Sequence, residues 1–325
     1  MTDKSPSGAR GEFPRIIVFG YTDIGVACLQ ELLDQGANVV GVVTHRDDPA
    51  ETIWFGSVAE LAGAHGIPVR TPEDPNVPAF VEEVRRLRPD LLFSFYYRRL
   101  LSPAILAVPP LGAINLHGSL LPKYRGRAPV NWVLVRGETT TGVTLHYMDA
   151  RADHGDIIAQ RAVPIPIEDT ALTLSRKLTA AARSLLAETY PLIVAGKAPR
   201  IPQDDGGASK FGRRTPADGR IDWSRSAWQI YNLIRAVTRP FPGAFTFWGD
   251  RKLYLWSARP PGGRACEAPP GTILGIGESG ALEVATGDGI LEVTGIQAEA
   301  GPEMDGATFF ATTLKGSAAG PRKFG

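Results

Sequence analysis

The sequence predicts an α/β fold: a doubly wound, mostly parallel, Rossmann-like sheet in the N-terminal part, followed by a smaller C-terminal β-barrel domain of the OB type. Strand and helix patterns alternate along the first half of the chain, as in βαβ units. Several strands are continuous apolar runs, such as VVGVV and LLFSF, which is typical of strands buried on both faces of a parallel sheet. Further along, short strands separated by glycine-containing turns favour a small barrel.

The elements of the N-terminal part are predicted from their periodicity. Strand segments are short and rich in apolar β-branched residues, whereas helical segments repeat apolar residues every three or four positions. Predicted strands cover residues 15–20, 38–44, 67–70, 91–97, 113–116, 142–148 and 157–163, and predicted helices cover 24–33, 57–65, 79–88, 130–136 and 172–194.

The C-terminal part begins after a stretch without periodicity. Residues 199–218 are rich in Pro, Gly, Asp and Arg, which is the composition of an interdomain linker. An amphipathic helix at 227–237 follows, and then the strand segments AFTFW, KLYLWS, GTILGI, ALEVAT and GILEVTG. We therefore predict a disordered tail at 1–13, an α/β domain expected to hold the functional site at 14–203, an OB-like domain at 204–315 and a mobile tail at 316–325.

Composition excludes several classes of protein. No segment approaches the roughly 20 apolar residues of a membrane span, and the N-terminal tail lacks the apolar region of a signal peptide. Cys28 and Cys266 are far apart and have no partners at metal-ligand spacing, so neither a disulfide framework nor a zinc site is indicated. The net charge of +1 gives no global field for a polyanion such as tRNA. We expect a cytoplasmic protein without membrane insertion.

His117 is the leading candidate for acid–base chemistry among the five histidines. It lies two residues after Asn115 at the end of a predicted strand, so both side chains project from one face. The basic loop SLLPKYRGRAP follows directly, and Asp153 lies in the loop after the strand at 142–148. A histidine at a strand end is more often a hydrogen-bonded structural residue than a catalyst, so the pair alone leaves both interpretations open.

Two segments together are specific for a family. NLHGSLLPKYRG and, further along, TGVTLHYMDARADHGDI resemble the folate-dependent formyltransferases, which share Asn-x-His, a Ser-Leu-Leu-Pro loop and a later Asp-x-Gly. The resemblance implies an enzyme that transfers the formyl group of 10-formyltetrahydrofolate to an amine. It assigns Asn115 as donor to the oxyanion of a tetrahedral intermediate, His117 as the group that exchanges protons, and Asp153 as the carboxylate that orients His117.

The same resemblance implies where the folate lies. Arg99, Leu100 and Leu101, in SFYYRRLL, would line the pterin pocket with backbone groups and apolar walls. The alternative for this segment is a strand end without a binding role. Further folate contacts would come from Arg127 and from the loop that contains Asp149, Ala150, Arg151, Ala152 and Asp153.

Two other patterns are weaker. His146 and His154 suggest a metal site with Asp153, but His146 lies within a strand and the family needs no metal, so we expect none. FGYTDIG places Gly20 and Gly25 at a strand-to-helix turn but lacks the G-x-G-x-x-G spacing of a dinucleotide site, so a tight turn is predicted. Neither pattern adds a cofactor.

Within the family, the resemblance is closest to the formyltransferase domain of the bifunctional polymyxin-resistance enzyme, which modifies UDP-4-amino-4-deoxy-L-arabinose for lipid A decoration. SFYYRRLLSPAIL, FGRRTP and PFPGAF carry this resemblance. Arg127 and Trp132 depart from the initiator-tRNA formyltransferases, whose loop usually reads RGAAP. Arg213 and Arg214 would be local cations for the nucleotide, and the alternative for both is a solvated linker.

The expected acceptor is therefore the amine of a nucleotide-linked sugar, with no nucleic-acid partner. No dehydrogenase pattern follows the formyltransferase motifs, so we expect formylation alone. A methionyl-tRNA formyltransferase is the enzymatic alternative, because the two-domain plan suits it equally. A folate-binding module without transferase activity is the alternative of another class, since folds persist while functions change, but the intact Asn115, His117 and Asp153 argue against it.

Overall fold

The computed structural model describes residues 13–49, 51–314 and 323–325. Most of the two predicted tails, positions 1–12 and 316–322, lies outside the described residues. Within the described ranges, no helix is both long enough and apolar enough to cross a membrane.

The chain divides into two compact units. The first unit holds the segments up to Arg125, 142–163 and 176–210, and the second holds 126–141, 164–175 and the chain from Phe211 onward. The sequence-based domain bounds place a single cut between residues 203 and 204. That cut follows chain order and does not resolve the interleaved segments, because contacts between distant parts of a chain leave no local pattern.

Most strands of the N-terminal part join one seven-stranded sheet. In chain order, the strands are β1 (Arg15–Gly20), β2 (Asn38–Val43), β3 (Val69–Arg70), β4 (Leu91–Phe95), β5 (Ala113–His117), β6 (Arg125–Gly126), β7 (Thr140–Tyr147), β8 (Ile157–Pro164) and β9 (Lys210–Phe211). The sheet order is β3-β2-β1-β4-β5-β7-β8, and β6 pairs separately with β9. The helices are α1 (Thr22–Asp34), α2 (Val58–Ala64), α3 (Pro78–Arg86), α4 (Pro103–Leu106), α5 (Pro129–Val135) and α6 (Ala171–Val194).

The sheet is doubly wound and mostly parallel, as predicted. β1 pairs in parallel with β2 and β4, and β4 pairs in parallel with β5, whereas β7 runs antiparallel to β5. Because β2 and β4 lie on opposite sides of β1, ligands are expected at the carboxyl ends of these central strands. Leu92, Phe93 and residues 16–19 have no solvent exposure, which places the core of the unit at β1 and β4.

Two local differences separate the predicted and observed elements. The strand predicted at 91–97 ends at Phe95, because Tyr96 has a φ of 56°, a left-handed conformation that turns the chain out of the strand. Residues 199–218, predicted as a linker, contain β9 and the short 3₁₀ helix Asp205–Gly207, and a second 3₁₀ helix, Pro216–Gly219, begins within them. Such short elements give no periodic pattern in the sequence.

The described residues of the C-terminal part form an antiparallel sheet on which two helices pack. Its elements are α7 (Ala227–Val237), β10 (Ala244–Trp248), β11 (Arg251–Ala258), β12 (Ile273–Ile276), β13 (Leu282–Ala285), β14 (Ile290–Ala298), β15 (Glu303–Asp305) and α8 (Gly306–Phe309), followed by a π-helical turn at Phe310–Leu314. The sheet order is β10-β11-β14-β13-β12, with β15 on β14, and these pairs are antiparallel. The antiparallel C-terminal domain is thus confirmed, and its closure into an OB-type barrel stays a prediction.

The last residues of the chain are packed, in contrast to the mobile tail predicted at 316–325. Phe324 is buried, and its ring stacks on Trp223 with 5.6 Å between ring centroids. Backbone hydrogen bonds hold both Phe324 and Gly325 to the second unit. The prediction was wrong for residues 323–325, because a single aromatic side chain near a chain end has no periodic signature.

Candidate active site

Asn115 lies near the carboxyl end of β5, where the antiparallel neighbour β7 places His146 opposite it. The amide nitrogen Nδ2 of Asn115 lies 3.1 Å from His146 Nε2. His146 Nδ1 lies 2.8 Å from the Tyr147 carbonyl oxygen, which only accepts, so Nδ1 carries the proton and Nε2 is an acceptor. This bond fixes the plane of the Asn115 amide and the direction of its second N–H.

His146 is a neutral partner in this arrangement. Its side chain is 2% exposed, and burial lowers the pKa of His146 from 6.5 to about 4, against the opposing attraction of Asp153. Asp153 Oδ1 lies 3.8 Å from His146 Nε2. At neutral pH, His146 therefore holds Asn115 as a hydrogen-bond acceptor and does not carry a charge.

His117 is held by the loop that follows β5. Its Nε2 donates to the Tyr124 carbonyl oxygen at 2.8 Å, so Nδ1 is the nitrogen that can exchange a proton. Nδ1 lies 3.6 Å from Asp153 Oδ1, within reach of an ion pair but longer than a hydrogen bond. Both side chains are mostly buried, so salt screens their attraction only weakly. Asn115, His117, His146 and Asp153 are referred to below as the strand-end cluster.

Two glycines allow the loops of the cluster to approach each other. A side chain at Gly118 would collide with the Tyr96 hydroxyl, and a side chain at Gly155 would collide with the Tyr147 carbonyl oxygen. Asp153 itself has a φ of 61°, which is uncommon outside glycine. The glycine of Asp-x-Gly is thus required by a close backbone contact that brings Asp153 into the cluster.

The neighbourhood of His154 argues against a metal site. His154 Nε2 lies 3.4 Å from an Arg125 guanidinium nitrogen, and His154 Nδ1 lies 3.7 Å from an Asp205 carboxylate oxygen. A cation at this distance disfavours a second positive charge. Over the residues that the structure describes, no group of three or more His, Cys, Asp or Glu side chains is placed to hold a metal ion.

His146 is expected to make the protein less stable at acidic pH. An unfolded histidine titrates near pH 6.5, whereas folded His146 stays neutral down to about pH 4. Below pH 6.5 the unfolded state binds more protons, so the free energy of unfolding decreases as the pH falls. Between pH 7 and pH 5, we expect this group to remove roughly 2 kcal/mol.

Urea unfolding at pH 7 and pH 5 measures this contribution. The loss of stability between the two pH values should shrink by roughly 2 kcal/mol in His146→Gln. It should stay unchanged in His65→Gln, because the His65 side chain is exposed. Equal losses in the wild type and both variants would contradict a buried, neutral His146.

The segment expected to hold the pterin follows β4. Leu100 is 74% exposed, whereas Leu101 is 8% exposed and belongs to the hydrophobic core. Asn76 Nδ2 donates to the Leu100 carbonyl oxygen at 3.0 Å, and Asn76 Oδ1 accepts from the Ser102 N–H at 2.7 Å. Arg99 is exposed. Leu100 thus presents its side chain to solvent from a fixed backbone, while Leu101 anchors the segment.

Residues 149–153 form the turn that leads into the cluster. The Arg151 N–H donates to Asp149 Oδ1 at 2.7 Å, which is an Asx turn. Asp149, Ala150 and Arg151 are exposed, whereas Ala152 is half-buried and Asp153 is inside the cluster. The structure therefore brings this predicted folate segment into the same unit as the cluster.

Arg127, Arg213 and Arg214 all belong to the second unit. Arg213 is exposed. The guanidinium of Arg214 lies over the Trp132 ring at 4.6 Å and donates to the Asp218 carbonyl oxygen. Arg214 is therefore half-buried and packed on Trp132, and its contact with a nucleotide stays a prediction.

Two contacts that hold the strand-end cluster are not indicated by the sequence. The sequence suggests His146 only as a metal ligand, and its bond to Asn115 depends on the antiparallel register of β5 and β7. The two-residue period of a strand indicates which side chains of β7 share a face, but it does not identify the neighbouring strand. The Tyr124 carbonyl that holds His117 is a backbone atom, which leaves no signal in the sequence.

Two family models match the chain. The formyl transferase model matches residues 14–190, and the model of the formyl transferase C-terminal domain matches residues 213–314. The chain belongs to the formyl transferase family. The predicted class of enzyme is thereby confirmed.

Several solved structures are similar to the chain. HypX from Aquifex aeolicus, in complex with tetrahydrofolic acid, is 18% identical to this chain, with a TM-score of 0.62. The match covers 94% of this chain but only 48% of HypX, so the chain spans about half the length of HypX. WlaRD, a sugar 3N-formyl transferase solved with dTDP and 5-N-formyl-THF, matches with 21% identity, a TM-score of 0.65, and 89% and 98% of the two chains. The N-formyltransferase from Helicobacter canadensis, with folinic acid and dTDP-3-aminofucose, matches with 21% identity, a TM-score of 0.66, and 86% and 99%. At these identities, the likeness establishes the fold.

Proposed function

We propose that the chain transfers the formyl group of 10-formyltetrahydrofolate to the amine of a nucleotide-linked amino sugar, with UDP-4-amino-4-deoxy-L-arabinose as the first candidate. The strand-end cluster carries the proposal, because an amide, an imidazole and a carboxylate meet at the carboxyl end of β5. Formyl transfer follows from the family, and the folate complexes of three structural relatives support a folate donor.

Asn115 and His117 act directly on the reacting groups in this proposal. The attacking amine nitrogen forms a bond to the formyl carbon, whose oxygen gains negative charge in the tetrahedral intermediate. The second N–H of Asn115 donates to that oxygen, which stabilises the transition state by roughly 3 to 4 kcal/mol. His117 Nδ1 takes a proton from the amine and returns it to the folate nitrogen as the bond between that nitrogen and the formyl carbon breaks.

Asp153 supports the proton transfer. Its carboxylate oxygen lies 3.6 Å from His117 Nδ1, where it attracts the positive charge that His117 carries after taking the proton. Catalytic contacts commonly shorten once substrates are bound. The folate would lie against Arg99, Leu100 and the turn at residues 149–153, and the exposed Leu100 supplies an apolar wall for a pterin ring.

A nucleotide sugar is favoured over tRNA as the acceptor. A surface that reads tRNA needs many cations for phosphates, and the net charge of the chain is only +1. The two similar sugar enzymes were solved with dTDP or a dTDP-linked sugar, and SFYYRRLLSPAIL and FGRRTP resemble a UDP-sugar formyltransferase. We also propose that the enzyme acts in the cytoplasm and that its product serves lipid A modification and polymyxin resistance.

A panel of acceptors tests the proposal. The full chain is incubated with 10-formyltetrahydrofolate and, in separate reactions, UDP-4-amino-4-deoxy-L-arabinose, dTDP-3-amino and dTDP-4-amino sugars, and methionyl initiator tRNA. Tetrahydrofolate release and the mass of the product are followed. We expect the UDP-sugar to give a kcat/KM at least about 10²-fold above that of tRNA.

The other outcomes separate the alternatives. Formylation of tRNA alone would reject the sugar acceptor. Turnover with a dTDP-linked sugar and not with the UDP-linked sugar would keep the substrate class and change the sugar. Folate binding without formylation of any amine would indicate a folate-binding module.

A further inference from the structure

We propose that Gln203 is a positioning residue that joins the two loops of the strand-end cluster through Arg125, and thereby sets the distance between His117 and Asp153. This inference rests on the proposed roles of His117 and Asp153. Gln203 and Arg125 touch no reacting group in it, and they act only through the backbone segments that carry the two catalytic side chains.

Gln203 binds both loops with one side-chain amide. Its Oε1 accepts from Arg125 Nε at 3.1 Å and from Arg125 Nη2 at 2.7 Å. Its Nε2 donates to the carbonyl oxygens of Asp153 at 3.0 Å and Gly155 at 2.8 Å. The amide oxygen of Gln203 therefore binds the loop that carries Arg125, and the amide nitrogen binds the turn that carries Asp153.

The Arg125 end of this link leads to His117. Arg125 follows Tyr124 directly, and the Tyr124 carbonyl oxygen accepts the hydrogen bond from His117 Nε2. The other end leads to Asp153, whose left-handed φ of 61° is held by neighbouring contacts and not by its own preference. Loss of the Gln203 link would therefore let the two partners of the 3.6 Å contact move independently of each other.

Arg125 is suited to be a fixed point. Its side chain is 4% exposed, and a buried guanidinium must be paired and hydrogen-bonded to remain in place. Asp205 supplies the counter-charge, with 2.8 Å between its Oδ1 and Arg125 Nη1. The hydrogen bond from Arg125 lowers the pKa of the Asp205 carboxyl, so the pair is ionised at neutral pH.

A glutamine is the residue that this position requires. Glutamate would keep the acceptor for Arg125 but would lose both donors and set a carboxylate against the carbonyl oxygens of Asp153 and Gly155. Leucine would lose all four contacts of Gln203. The two substitutions thus separate the link to the Asp153 turn from the link to Arg125.

Steady-state kinetics of Gln203→Glu and Gln203→Leu test the proposal with whichever amine of the acceptor panel turns over. We expect kcat to fall about 10- to 100-fold in both variants, because displacement of a catalytic group by about 1 Å has such a cost. The KM values of donor and acceptor should change by less than about threefold. Gln35→Leu is the control, since Gln35 also binds a side chain and a backbone carbonyl in the first unit but lies outside the cluster.

A double-mutant cycle distinguishes positioning from a general structural role. If Gln203 acts through Asp153, then Gln203→Leu should lower the kcat of Asp153→Asn by less than about threefold. An equal loss in both backgrounds, or a loss confined to KM, would overturn the proposal. If Asp153→Asn itself left kcat unchanged, the proposed role of Asp153 would fail, whatever Gln203 does.

Hydrogen exchange tests the link without any substrate. Backbone amides of residues 149–156 should exchange faster in Gln203→Glu and Gln203→Leu than in the wild type, and their rates should be unchanged in Gln35→Leu. Unchanged exchange in all variants would overturn the proposal even if no acceptor of the panel were formylated.

Discussion

His117→Ala is expected to lower kcat by about 10²- to 10⁴-fold, which is the usual contribution of a positioned acid–base group. The Nε2 atom of His117 is bound to the Tyr124 carbonyl oxygen, so Nδ1, which faces Asp153, is the atom available for proton transfer. The KM for the folate should change little, because His117 is not among the residues expected to hold the pterin. Initial rates of tetrahydrofolate release over a range of both substrates measure the effect.

His65→Ala is the matched control for this loss. His65 directly follows the last residue of α2, is exposed, and its Nδ1 lies 3.0 Å from the Leu61 carbonyl oxygen of that helix. The same substitution there should leave kcat and both KM values unchanged. A kcat in His117→Ala within about tenfold of the wild type would be inconsistent with proton transfer by this histidine.

Asn115→Leu should lower kcat and kcat/KM together by about 10²- to 10³-fold, because the lost hydrogen bond is made to charge that develops only in the transition state. The substitution also leaves His146 Nε2 without its donor, so the free energy of unfolding should fall by about 1 to 3 kcal/mol. Kinetics at a temperature well below the unfolding transition, with urea unfolding in parallel, separate the two effects.

Asn115→Asp provides a second variant, since it keeps the size of the side chain and cannot donate at neutral pH. It should lose activity to a similar extent. Asn38→Leu, at the exposed start of β2, is the control for a polar-to-apolar change in the same sheet. Full activity in both Asn115 variants would mean that the oxyanion is stabilised by another group.

The sheet of the first unit was predictable because its strands carry their own signals. β4 reads LLFSF and is buried at every position, and the Asn115-x-His117 pair follows from a spacing of two residues along β5. Both features are local, so they can be recognised in the sequence without knowledge of the fold. The role of Asp153 was predictable only through the family resemblance, which joins segments that are distant in the sequence.

The partners that hold the cluster together were not predictable by the same means. His146 becomes the acceptor for Asn115 only through the antiparallel pairing of β5 and β7. Gln203 lies in a segment that has the composition of a linker, and its bonds to Arg125 and the Asp153 turn span long distances in sequence. Contacts of this kind depend on tertiary packing, which leaves no period and no local motif.

A crystal structure with a stable 10-formyl folate analogue and the nucleotide-linked amino sugar bound would reveal the geometry of the reacting groups. We expect the sugar amine to lie about 3 to 3.5 Å from the formyl carbon. We also expect the amine to lie within hydrogen-bonding reach of His117 Nδ1, and the formyl oxygen to face the second N–H of Asn115. A sugar amine bound away from these two side chains, or a folate bound outside the strand-end cluster, would contradict the proposed mechanism.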